Sequence, residues 1–237
     1  MRIAVLIIAY REEEFIQQCI KQWEGLDVKV LNPVKPWFVD SCGLDKTQEM
    51  CYNVEIIRQH WNTEVDQRNY GLARLYDYDW VIICDADEFY TKEDRDKIIN
   101  TLKENKEICY RANKVISYWK YDYILDPPDG HKPLIAVNPK KVKIIHNRNA
   151  QLVEENRPLD YQPVIDVTIH HMSWSRPDHK IKAKIDNFSH LEKVKQNWYN
   201  DIWLNWTPDM ENIRPYGIEK SRAIKYEMPQ EIKNMIK

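Results

Sequence analysis

The 237-residue chain lacks every cysteine pattern that would staple a small fold or hold zinc. Its five cysteines, Cys19, Cys42, Cys51, Cys84 and Cys109, form no C-x-x-C pair, and no histidine stands near them at zinc-finger spacing. Neither a disulfide framework nor a thiolate metal site is indicated, and a reducing compartment fits. Glycine is equally scarce, with 5 residues, and no Gly-rich phosphate loop follows the first apolar run, where Tyr10-Arg11-Glu12 stands instead. That absence counts against a nucleotidyltransferase acting on sugar phosphates. No long hydrophobic stretch is present either: Ile3 to Ala9 falls far short of the ~20 apolar residues that cross a bilayer, and it lacks a signal-peptide cleavage site. With no transmembrane segment, the expected location is cytoplasmic, or peripheral at a membrane. An excess of one charge is also missing. Lys and Arg number 35 and Asp and Glu 37, a formal charge of -2, so no basic field recruits nucleic acid.

What is present is the material of an ordered core. Hydrophobic residues make up 43% and charged residues 30%, the balance of a globular protein and not of a disordered one. The length suits one α/β domain with a smaller appended lobe. The aromatic set, 9 Trp and 14 Tyr against 4 Phe, favours rings with a polar handle, which suit half-buried positions or stacking on sugars and bases.

Strand and helix signals alternate through the first half. Ile3 to Ala9 is continuously apolar, as in a parallel strand covered on both faces. Phe15, Ile16, Cys19, Ile20 and Trp23 then recur with helical period between Glu12 and Gly25. Short strands at Val28 to Leu31 and Val54 to Ile57, a polar helix from Thr63 to Leu75, an apolar strand from Trp80 to Cys84 and a helix from Lys92 to Glu104 behind Thr91 follow. This rhythm predicts a doubly wound, mostly parallel, Rossmann-like sheet.

In such sheets ligands sit beyond the carboxyl ends of the strands, and two motifs fall there. Tyr10-Arg11 follows the first strand, and Asp85-Ala86-Asp87 follows the strand Val81 to Cys84. A strand that ends in D-x-D puts two carboxylates on a rim loop, where oxygen ligands can hold a hard divalent cation, Mg²⁺ or Mn²⁺, and through it a diphosphate.

Three stretches carry a resemblance in the same order. Ile3-Ala-Val-Leu-Ile-Ile-Ala-Tyr-Arg-Glu-Glu, then Gln67-Arg68-Asn69-Tyr70-Gly71-Leu72, then Asp85-Ala86-Asp87-Glu88 resemble the corresponding segments of inverting family 2 glycosyltransferases. The resemblance implies a GT-A-type α/β fold that moves a sugar from a nucleotide-diphosphate sugar, first of all a UDP-sugar, to an acceptor hydroxyl on a glycan, a glycolipid or a protein glycan. It implies metal assistance and inversion. On matching positions it implies that Tyr10 packs on the nucleoside base with Ala9 and Arg11 beside it, and that Asp40 or Asp45 binds base or ribose. Arg68 would face the diphosphate, Asp85 the ribose or a metal-bound water, with Ala86 between, and Asp87 the metal itself.

The second half is similar to a subset of related transferases in which a strand ends in His before an aromatic turn and a basic helix. His170-His171-Met172-Ser173-Trp174-Ser175 is that feature, with the helix expected from Pro177 to Val194. A histidine opposite Asp87 would complete the cation's coordination, and Mn²⁺ accepts imidazole more readily than Mg²⁺ does. His171 is chosen over His170, since strand alternation sends neighbours to opposite faces and His171 lies nearer the loop. Of the basic residues that follow, among them Lys182 and Lys184, Arg176 and Lys180 are expected on the diphosphate. The E-D base motif of the family is not found downstream, so Glu154 or Glu155 is the expected catalytic base, with Asp129, Asp160 and Asp166 as alternatives. Trp119 and Trp174 suit either acceptor stacking or core packing. Residues 1-107 then form the nucleotide-sugar half, 108-195 the acceptor and metal-completing half, and 196-237 a helical or irregular extension. A non-catalytic sugar-binding module is the competing reading, and it would not bind a nucleotide through metal.

Overall fold

The computed structural model describes residues 1–34, 45–104, 106–186 and 191–236. Four strands, Ile3–Ile8 (β1), Asp27–Pro33 (β2), Glu55–Gln59 (β3) and Trp80–Asp85 (β4), lie parallel in the order β3-β2-β1-β4. β1 is apolar throughout because both its faces are covered. Val5 and Ile7 pack with Phe15, Ile16 and Cys19 around the helix Ile16–Lys21 (α1). Ala4 and Leu6 face the opposite layer, where they meet Leu72 and Leu75 around the helix Glu64–Arg74 (α2). Thr63 caps α2 by accepting from the Asp66 amide at 3.0 Å, which satisfies one of the free donors of the first turn. Helix α1 is shorter than its apolar period suggests. Glu12 is held outside it, its amide donating to Thr47 Oγ1 at 2.8 Å.

The remaining elements are Glu88–Phe89 (β5), Lys92–Glu104 (α3), Cys109–Trp119 (β6), Tyr123–Asp126 (β7), Leu134–Val137 (β8), Val142–Ile145 (β9), Asn149–Leu152 (β10), Val164–Trp174 (β11), Asp178–Asp186 (α4), Arg222–Lys225 (β12) and Gln230–Met235 (α5). β8 joins β4 to β6 by antiparallel pairing, β11 runs parallel to β6, and β5 pairs antiparallel with β11. The α/β sheet is thus parallel where β1 to β4 meet and mixed beyond. β11 does not end at the histidine pair but runs on to Trp174, and His170 and His171 pair with Phe89 and Glu88. Residues 196–236 do not stand apart: β12 extends the sheet on the edge of β7, and Glu231 of α5 accepts from the Lys92 amide at 2.9 Å.

Of the two roles that suit Trp119 and Trp174, acceptor stacking and core packing, the structure shows packing. Trp119 is fully enclosed, its ring centroid 4.8 Å from Trp203 and 6.0 Å from Trp198, and Trp174 is buried with them. Core packing therefore accounts for this pair.

Helix α2 approaches β1 and β2 closely at Gly71. A Cβ there would stand 2.6 Å from both Leu6 methyls and 2.9 Å from Leu31 Cδ1, all of them buried. Gly71→Ala is expected to cost about 1–3 kcal/mol, read as a lower urea midpoint at unchanged m. Wild-type stability in that variant would contradict the close approach.

Candidate active site

Ile8 and Asp85 are register partners, and the Ala86 amide donates to Ile8 O at 3.0 Å, so the turn after β1 and the D-x-D segment share one rim. Asp85 is bracketed by two arginines. Arg68 Nη2 donates to its Oδ1 at 2.8 Å and Arg148 Nη1 to its Oδ2 at 3.3 Å. Arg148 also donates to Glu88 Oε1 at 2.6 Å and to the carbonyls of Ile83 and Leu134 at 3.1 and 3.0 Å. Burial pushes the Asp85 carboxyl up, but Arg68 and Arg148 pull harder and hold it below its ordinary value. Glu88 has the opposite balance: burial wins and its carboxyl is raised. Arg148 sits at φ 51, a left-handed backbone uncommon for a side chain of this size, and its buried contacts fix it there.

Asp87 has its own cations. Arg176 Nη2 donates to its Oδ2 at 2.7 Å, and His171 Nε2 lies 3.4 Å from its Oδ1. The same Arg176 nitrogen meets both Glu12 oxygens, at 2.9 and 2.8 Å, and the guanidinium lies 5.1 Å from the Phe15 ring centre. Against burial, His171 and Arg176 hold Asp87 well below the carboxylate range. Burial lowers His171, but Asp87 outweighs it and the imidazole pKa is raised. Burial pushes Glu12 up to about 8 despite Arg176. Lys184 contacts Ser173 Oγ and lies 4.9 Å from the Trp174 ring centre; burial, with Arg176 nearby, brings it down to about 8.

The two histidines separate by strand alternation. His171 faces Asp87, while His170 is buried against Tyr118, whose hydroxyl lies 2.9 Å from His170 Nδ1.

On the β1 side, Asp45 accepts from the Arg11 amide at 3.1 Å, the Thr47 amide at 3.0 Å and Asn32 Nδ2 at 2.8 Å, and Asn32 also donates to Ala9 O at 2.9 Å. Asp45 is thereby fixed to the Ala9–Arg11 turn, and the Arg11 guanidinium lies 5.4 Å from the Tyr10 ring centre. Asp40 lies outside the described residues.

Other expected residues are placed elsewhere. Glu154 and Glu155 stand in the exposed turn after β10, where Glu155 pairs with Arg157. The four residues of β10 separate that turn from Arg148 by roughly 14 Å of strand, so neither glutamate is brought to Asp85 or Asp87. Lys180 pairs with Glu13, and with Glu14 at 3.4 Å. Among the described residues no group of three His, Cys, Asp or Glu side chains is arranged to hold a metal. Asp87 and His171 are a pair whose donor types suit a cation, though here Asp87 Oδ2 accepts from Arg176 and Oδ1 faces His171; both Asp85 oxygens accept from arginines. Arg68 Nη1 and Arg176 Nε are buried donors with no acceptor among the described residues.

An α/β sheet with carboxylates and arginines gathered beyond its strand ends places a charged cluster where sheets of this class bind their ligands. Residues 4–126, more than half of the chain, match the model of the family described as Glycosyl transferase family 2, and the chain belongs to that family. Two relatives are the SPbeta prophage-derived glycosyltransferase SunS of Bacillus subtilis (strain 168) and the glycosyltransferase SunS of Bacillus phage SPbeta. Each is 22% identical over 218 residues, which cover 84% of this chain and 46% of the relative. The chain thus spans about half the length of those relatives. Among solved structures, S. aureus TarS is similar at 16% identity and a TM-score of 0.36, over 48% of this chain and 22% of that one.

Two predictions follow from these contacts. Arg148→Ala should cost on the order of 3–5 kcal/mol, because it leaves Glu88 buried without its cation; unchanged denaturant stability would contradict the pairing. Burial lowers His170 to about 4 from 6.5, so the unfolded chain binds a proton there that the folded chain refuses. Stability is expected to fall as pH drops from about 6.5 to 4, by roughly 2–3 kcal/mol from this group, and His170→Gln should flatten that part of the curve. Parallel pH profiles of the two proteins would refute the assignment.

Proposed function

We propose that this chain moves a sugar from a nucleoside diphosphate sugar, a UDP-sugar, to a hydroxyl of a carbohydrate or glycolipid acceptor with inversion, in a site that takes Mn²⁺ or Mg²⁺ through Asp87 and His171. The observation that carries this reading is the convergence of Asp87, His171, Arg68 and Arg176 on one rim of a family 2 domain. A divalent cation held by Asp87 and His171 would supply positive charge for the departing diphosphate. The unpartnered nitrogens of Arg68 and Arg176 supply buried donors for the same anion. Asp45 and Asn32 hold the Ala9–Arg11 turn against which the nucleoside is bound. Asp85, kept ionised between two arginines, sets the position of Arg68.

Glu12 anchors Arg176 beside Asp87, whereas Glu154 and Glu155 lie out of reach. Glu12→Gln is expected to lower turnover by about a hundredfold or more, while Glu154→Gln and Glu155→Gln stay within about twofold. A large loss in either of the last two would place the catalytic base in that turn.

UDP with Mn²⁺ should stabilise the protein by roughly 2.7 kcal/mol at 100 times its dissociation constant, and neither should do so alone at those concentrations. His171→Ala should raise the Mn²⁺ concentration needed for half of that shift, and His170→Ala should not. Since Asp87 raises the His171 pKa and a ligating imidazole must be neutral, Mn²⁺ affinity should begin to fall above pH 6.5 as acid is added. A UDP shift independent of Mn²⁺ would remove the cation from the reading.

A further inference from the structure

Beside the Asp87 cluster the fold leaves a cavity of about 690 Å³, within the usual range of small-molecule sites. One wall is the turn between β6 and β7, and the other is residues 225–236, which carry α5. The turn abuts the site directly: the Lys120 amide donates to Trp174 O at 3.1 Å, and Arg176, the partner of Asp87, follows two residues later. Tyr121, the residue after Lys120, lines the cavity. The walls are joined by the Tyr226 amide donating to Asp122 O at 2.9 Å, and the Tyr226 ring rests at 5.9 Å against Tyr118.

The chemistry of the walls selects the occupant. Tyr121 is 47% exposed and Tyr226 is half-buried, so parts of two aromatic side chains are open to the cavity. Around them stand two carboxylates, Asp122 and Glu227, two amines, Lys225 and Lys233, and the Gln230 amide. The opposing charges leave no net field for a polyanion, and the mixed polar rim does not suit an alkyl chain. A pyranose matches both features, since its C–H face stacks on an aromatic ring while its hydroxyls find donors and acceptors at the rim. We propose that this cavity is a saccharide subsite holding a pyranose of the acceptor next to the transfer site, an inference that rests on the transferase reading.

The test uses methyl glucopyranoside, methyl galactopyranoside and methyl N-acetylglucosaminide as probes, measured by saturation-transfer NMR on the whole chain with UDP and Mg²⁺. At least one probe should bind, with an affinity that falls about tenfold in Tyr121→Ala and several-fold in Gln230→Ala. Tyr161→Ala, a control at an exposed tyrosine outside the cavity, should leave it unchanged. The thermal shift given by UDP with metal should be the same in all three variants. Binding of no pyranoside, binding that survives both cavity variants, or binding of a tyrosine-containing pentapeptide in place of every pyranoside overturns the proposal. If UDP fails to bind with metal while a pyranoside response still depends on Tyr121, the UDP-and-metal reading of the donor site falls and the saccharide subsite stands.

Discussion

Three carboxylates within four residues, Asp85, Asp87 and Glu88, lie at the buried end of β4, and they can share that space only if cations are brought to them. Each cation comes from a different part of the chain. Arg68 is delivered by α2, Arg148 by the short turn between β9 and β10, and Arg176 by the turn between β11 and α4. Asp85 and Asp87 each have two cationic neighbours, whereas Glu88 depends on Arg148. The ion pairs therefore tie the antiparallel second half to the parallel first half at the position where an anionic ligand would bind.

The same constraint explains the shape of the neighbouring elements. β11 continues to Trp174 because its pairing with β5 sets His171 opposite Glu88 and near Asp87. Beyond Trp174 the strand is anchored by the tryptophan core, which fixes the start of the turn that carries Arg176. The β1 turn is fixed from the other side, through Asn32 and Asp45. What results is a rigid rim in which each functional side chain is held by at least one neighbour, as a preorganised electrostatic site requires.

Much of this was legible in the sequence, for identifiable reasons. β1 and β4 announce themselves because strands covered on both faces are apolar without interruption, and that places Tyr10 and Asp85 on one rim before any coordinates are known. The choice of His171 over His170 needed only strand alternation. Arg148 was not legible. Its partners Asp85 and Glu88 lie 63 and 60 residues away, and the left-handed turn that carries it has no glycine to mark it. Glu12 was hidden in a run of three glutamates that reads as the polar start of a helix, whereas the helix begins only at Ile16. Glu154 and Glu155 lie in the exposed turn after β10, and a sequence does not tell which end of a hairpin faces a site. Trp119 and Trp174 show that a ring with a polar handle says little about exposure once five tryptophans cluster.

The central proposal is that Asp87 and His171 would together hold a divalent cation for the donor. Electron spin-echo envelope modulation of Mn²⁺ bound with UDP reads it most directly, because a directly bonded imidazole nitrogen modulates the echo. The account predicts nitrogen modulation in the wild type and in His170→Ala, and its loss in His171→Ala. A wild-type Mn²⁺ and UDP complex without nitrogen modulation, or one whose modulation persists in His171→Ala, would contradict it.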